Sequence, residues 1–180
     1  MSVFTNPSSG SKEHARAYID AVLGLLAERD PMSVLETTER ELRTRIDGVS
    51  PKQLRTREAP GKWSIAMVLQ HLADSELVWG WRMRLILAQD RPTLTGYDQD
   101  AWADELGYEN ADPERALADF GQLRSANLRL LRAAMPAGLK RVGVHVERGD
   151  ESLAHQMKLY AGHDLLHLNQ VARVRSSLSR

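Results

Sequence analysis

Near its C-terminus the chain reads LYAGHDLLHLNQ, which places His163 and His167 four residues apart in a stretch of helical periodicity. Residues four apart on a helix stand one above the other, so the two imidazoles share a face. From consecutive turns, two neutral imidazoles can reach one metal ion, each through one ring nitrogen. The competing reading is a surface stripe. Gln156, Tyr160, His163, His167 and Gln170 line up at the same spacing beside Leu159, Leu165, Leu166, Leu168 and Val171. A helix usually turns such a polar stripe to water.

Two ligands are too few for a catalytic centre, which usually has three from the protein and an open position. The downstream LNQVARVRSSLSR contains no His, Asp, Glu or Cys, so a third ligand has to come from upstream. HDLLH differs from the metalloprotease pattern H-E-x-x-H by Asp164 in the glutamate position. That side chain is one methylene shorter as a base, and no further ligand follows, so protease chemistry is not expected. The upstream candidate is His71 in LQHLADSE, on a face shared with Asp74, Ser75, Val78 and Arg82. Its plain alternative is a buried histidine bonded to a carbonyl. Three neutral imidazoles suit Zn, Ni, Fe or Cu. Asp74 and Asp164 are candidates to orient an imidazole by hydrogen bonding, or else are solvated carboxylates.

Helices have to bring these residues together. Apolar residues recur at helical spacing in KEHARAYIDAVLGLLAERD, and Pro31 interrupts them. SVLETTERELRTRI resumes the pattern with Ser33 as the expected N-cap. Residues 64–90, opened by Ser64, are apolar on more than one face and predict a buried central helix. A linker with a short helix near Asp98–Leu106 follows. Asp112 and Pro113 then start a helix that Pro136 and Gly138 stop. The last helix is expected from about Glu151 to Ser176. RVGVHVE alternates like a strand but shows no clear partner.

The expected fold is all-α: a four-helix bundle with an extra N-terminal helix and a long crossover between the middle helices. Residues 1–11, rich in Ser, Gly and Pro, read as a flexible tail ahead of a single domain over 12–180.

Composition narrows the function. Lys plus Arg and Asp plus Glu are both 24, so the net charge is zero and no basic run is present. Nucleic acid is not an expected partner. The chain has no cysteine, which removes disulfides, thiolate ligands and a cysteine nucleophile. No signal peptide or membrane span is evident, so a cytoplasmic protein with no membrane partner is expected.

GKWSIAMVLQHLADSE, RPTLTGYDQDAWA and HVERGDESLAHQMKLYAGHDLLHLNQ together resemble the DinB-like superfamily, in particular its YfiT-like branch of metal-dependent hydrolases and thiol S-transferases. The resemblance runs from about Ala15 to Val174, with the motifs in the family's order and spacing. It implies a four-helix bundle with a long crossover. It also implies a divalent metal, held by His71, His163 and His167 with water in the remaining positions. The segment around His145 departs from the family's His-Pro-Glu, reading HVERG with Val146. His145, Glu147 and Asp74 are the candidate acid/base residues; a turn held by local hydrogen bonds is the alternative for the first two. Tyr97 and Trp102, in GYDQDAWA, and Tyr160 are the candidate walls of a cofactor or substrate pocket, although Trp102 also suits the core. Trp63, Trp79 and Trp81 read as packing. Arg82 and Arg84 are expected to be solvated or ion-paired unless a substrate anion lies beside them.

Within that resemblance, the leading expectation is transfer of a low-molecular-weight thiol to a small electrophile at a Zn, Ni or Fe site. Hydrolysis by metal-activated water is the alternative. A third reading is a non-catalytic bundle braced by metal that binds a ligand or partner. A small-molecule substrate is expected, and homodimerisation is compatible with a bundle of this kind.

Overall fold

The structure is a computed structural model and describes residues 12–178, so the expected tail lies outside the described residues. Seven α-helices follow in order: α1 (Lys12–Leu26), α2 (Pro31–Ile46), α3 (Pro51–Leu54), α4 (Ile65–Ala88), α5 (Gln99–Glu105), α6 (Pro113–Ala134) and α7 (Leu153–Ser177). Three short strands, β1 (Thr93–Leu94), β2 (Val142–His145) and β3 (Gly149–Ser152), lie among them.

Local chemistry sets the helix ends. Pro31 starts α2 rather than merely ending α1, because a missing N–H costs nothing in the first turn. Its N-cap is Asp30, not the expected Ser33: Asp30 Oδ2 accepts from the Ser33 N–H at 2.9 Å. Ser64 caps α4, Asp98 caps α5, Asp112 caps α6 and Ser152 caps α7 by the same device.

Helices α2, α4, α6 and α7 close a four-membered ring, with α4 against α6 and α7, and α2 against α6 and α7. α4 is buried on several faces, as its all-round apolar sequence predicts, with Ile65, Leu69, Trp79, Met83 and Ile86 fully enclosed. α1 belongs to the packing too. It lies along α7 so closely that a Cβ at Gly162 would stand 2.2 Å from the Val22 carbonyl oxygen.

The expectation of a strand without a partner fails at RVGVHVE. β2 pairs in parallel with β1 and antiparallel with β3. β1 comes from the long crossover between α4 and α6, and its two residues were too few to give a periodic signal. Leu94 seals the seam against β2: a Cβ at Gly143 would stand 2.7 Å from its Cδ1. The sheet ties the end of α4 to the start of α7.

One polar knot crosses the bundle core. Arg124 of α6 bridges Asp164 of α7 (2.6 Å) and Glu76 of α4 (2.9 Å). Thr38 of α2 donates to Asp164 at 2.7 Å. All four helices therefore meet in one hydrogen-bonded unit. Because every buried charge in it has a partner, it fixes how α4 and α7 face each other.

Candidate metal centre

α4 and α7 carry the three histidines, and their packing brings them together. His71 Nε2 lies 3.1 Å from His163 Nε2, which lies 3.1 Å from His167 Nε2. The ligand-capable atoms of the three residues all fall within 4.8 Å of one another. The stripe on α7 is thus not turned to water: Gln156 and His167 are buried, and Tyr160, His163 and Gln170 are partly so.

Hydrogen bonding alone accounts poorly for this convergence. A neutral ring nitrogen offers either one proton or one lone pair, yet His163 Nε2 is equally close to two others. Burial lowers the pKa of all three, His71 and His163 well below the ordinary histidine value and His167 to about 4. The rings are therefore neutral near pH 7. The protonation state is that of a ligand set. Two nitrogens each about 2.0–2.1 Å from one ion stand about 3.3 Å apart in a tetrahedron and about 2.9 Å apart at right angles. The two observed 3.1 Å separations, both to His163 Nε2, fall between, and three neutral imidazoles are a donor set of the kind that binds a divalent cation.

The imidazole-orienting partners differ from expectation. His167 Nδ1 is 2.8 Å from Gln170 Oε1, which keeps the proton on Nδ1 and the lone pair on Nε2. Asp164, the candidate for that role, is taken by Arg124 and Thr38. Asp74 accepts from Tyr108 and from Gln70 Nε2. Ser75 Oγ stands 3.4 Å from His71 Nε2 and 2.9 Å from the Tyr97 hydroxyl, so it links the cluster to the crossover.

The proposed acid/base residues sit elsewhere. None of Asp74, His145 and Glu147 joins the three-histidine group or lines the two cavities that border it. His145 ends β2, is buried, and accepts from the Glu147 N–H through Nδ1 at 3.3 Å. Burial and the neighbouring Arg148 and Arg82 push its pKa down to about 3. Glu147 lies over Gly96 of the crossover.

The two cavities reach different histidines. A small one, about 50 Å³, is bordered by His163, Ser75, Tyr97, Tyr160, Arg82 and Arg148, among others. A larger one, about 430 Å³, is bordered by His167, Gln170, Trp63, Met67, Lys62 and Arg173 among others. Tyr97 and Tyr160 therefore wall a cavity at the cluster. Trp102 packs on Tyr97 with ring centres 4.5 Å apart. Of the tryptophans read as packing, Trp79 is core, Trp81 is 59% exposed, and Trp63 stands beside His71 with ring centres 5.1 Å apart.

Sequence reasoning missed Tyr18 of α1 and Arg148 of the β2–β3 turn, which reach the small cavity from outside the bundle's histidine-bearing helices. Gln156 and Gln170 lay on the α7 stripe, and Arg82 on the His71 face. Their helical register was the available signal.

Comparisons with known proteins bear on the family and the fold. The family model of the DinB superfamily matches residues 34–171. A protein of Oceanobacillus iheyensis named "Putative metal-dependent hydrolase" is 29% identical over 137 residues, covering 76% of this chain and 79% of that one. YfiT of Bacillus subtilis, which carries the same name, is 28% identical over 144 residues, covering 79% and 81%. The solved YfiT structure, described as an unusual four-helix bundle topology, superposes with a TM-score of 0.71 over 79% of this chain and 84% of that one. With the family model matching residues 34–171 and the bundle fold shared with YfiT, this chain belongs to the DinB superfamily.

Proposed function

We propose that the protein is a metal-dependent enzyme acting on small molecules, and that it transfers a low-molecular-weight thiol to an electrophile. The observation that carries the metal reading is the convergence of three neutral imidazoles from two helices, two buried and one partly buried, with His163 Nε2 3.1 Å from each of the other two. Among the described residues no fourth His, Asp, Glu or Cys joins the group. A structural zinc normally has four protein ligands, so a set of three favours an open, reactive centre over a brace. A divalent ion such as Zn, Ni or Fe held there supplies Lewis-acid activation, lowering the pKa of a thiol or a water.

Two features favour thiol transfer. His163 and His167 face separate cavities, which gives two reactants separate approaches to one centre. No carboxylate lies among the residues bordering the small cavity, where a hydrolase would use one as general base. A thiol ionises far more readily than water and has less need of that base. The chain's part is then to hold the nucleophile against His163, with Tyr97 and Tyr160 as neutral phenol donors. Burial keeps both phenols protonated.

The second reading is hydrolysis, and it rests on the names of the relatives. The two separate cleanly by assay. Zinc-loaded protein is offered ester, amide and electrophile panels with and without an added small thiol. Turnover that requires the thiol supports transfer; equal turnover without it supports hydrolysis instead.

A further inference from the structure

Arg82 is an unusual buried cation. It lies on α4, is 6% exposed, and forms no ion pair among the described residues. The buried carboxylates are already engaged: Asp164 and Glu76 by Arg124, and Glu151 by Arg148. The contrast with Arg124, equally buried and holding two carboxylates, is direct. Arg82 instead donates to the Thr95 carbonyl and, at 3.4 Å, to the Tyr160 hydroxyl, while its Nε has no partner. Arg82 is thus neither solvated nor ion-paired among the described residues, because this part of α4 sinks between the crossover and α7, and the exception that the sequence reading allowed, an anion beside it, stays open.

Its surroundings form a receptacle. Arg82 lines the small cavity together with His163, Tyr97, Tyr160 and Gln156. Gln156 is 1% exposed; its Nε2 donates to Glu151 at 3.0 Å, and its Oε1 has no partner. The cavity volume of about 50 Å³ admits one small functional group rather than a whole substrate. It therefore offers a guanidinium lacking an anion and an amide oxygen lacking a donor, beside the histidine cluster. A buried charge without a partner is unfavourable, and a planar carboxylate matches the guanidinium fork.

We propose that Arg82 is the recognition site for a carboxylate carried by the reacting small molecule, with Gln156 Oε1 accepting from an adjacent hydroxyl, amine or amide N–H of that molecule. The substrate class is a small hydroxy- or amino-carboxylate derivative whose anionic end seats beside His163. This deepens the enzyme reading above, and only its link to the reacting molecule rests on that reading.

The test uses the full chain, zinc-loaded and after chelation, titrated with lactate and with lactamide, which differ in charge but hardly in size. The readout is the Arg82 Nε–Hε resonance, assigned by its loss in Arg82→Lys. Lactate should shift it saturably in the chelated protein, and lactamide should not. In Arg82→Met, lactate-dependent shifts of other cavity resonances should weaken at least about tenfold. Equal responses to the two ligands, or no saturable response of the wild-type signal, would overturn the proposal. So would a lactate response of the zinc-loaded protein that survives in Arg82→Met, because an ion rather than the guanidinium would then hold the carboxylate. The chelated arm keeps the outcome separate from whether the histidines bind metal.

Discussion

The Nε2 atoms of His71 and His163 lie 3.1 Å apart, although 92 residues of chain separate them. Nothing local holds them so. Their positions follow from the packing of α4 on α7, and that packing is pinned by Arg124 between Glu76, five residues beyond His71, and Asp164, next to His163.

Gln170 should tune the site without touching the ion. Its Oε1 fixes the His167 proton on Nδ1. Gln170→Leu is expected to weaken zinc binding about 10–100-fold, the usual effect of losing such a partner, with the fold intact. Competition with a chromogenic chelator measures it, with circular dichroism as the folding control. Unchanged affinity would mean that the ring is held by packing alone.

Glu151 gives the stability a defined pH dependence. Burial alone would raise its pKa, but Arg148, with help from Gln156, outweighs burial and holds it below the ordinary value. A carboxyl with a depressed folded pKa adds stability above its unfolded value, and that stability is lost as pH falls through the folded pKa. Glu151→Gln, which leaves Arg148 without its counter-charge, should therefore cost about 3 kcal/mol at pH 7. The gap to wild type should close as pH drops below the ordinary 4.5. Urea titrations of both proteins between neutral pH and the acid range report it. A gap that is constant with pH would show that the ion pair is not its source.

Gly162 is where α1 meets α7. A methyl group there would stand 2.2 Å from the Val22 carbonyl oxygen, and backbone cannot swing aside as a side chain does. Gly162→Ala should destabilise by about 1–3 kcal/mol despite alanine's better helix propensity. Hydrogen exchange should rise in α1 well before it rises in α4. Exchange that is uniform across the bundle would indicate that α1 is not separately docked.

Much of the fold was legible because bundles write themselves in periodicity. The long apolar run of α4, the Asp112–Pro113 start of α6 and the α7 stripe all survive with small changes of boundary. The sheet was not legible: β1 has two residues and their partners are 51 residues further on, so neither alternation nor a hairpin turn announces it. At the site, the histidine pair on α7 was visible in its four-residue spacing. The inward turn of that stripe was not, because periodicity shows that residues share a face but not what covers it. Arg82 was partly legible for the same reason. Its register beside His71 was readable, whereas its burial depends on Thr95 of the crossover and Tyr160 of α7.

The most direct measurement is metal stoichiometry. Purified protein, stripped and reconstituted with zinc, is analysed for bound metal beside His71→Ala and His163→Ala. About one ion per chain, lost in both variants, is the predicted result for a site shared between α4 and α7. No stoichiometric ion in the wild type, or binding indifferent to His71→Ala, would contradict a three-histidine centre.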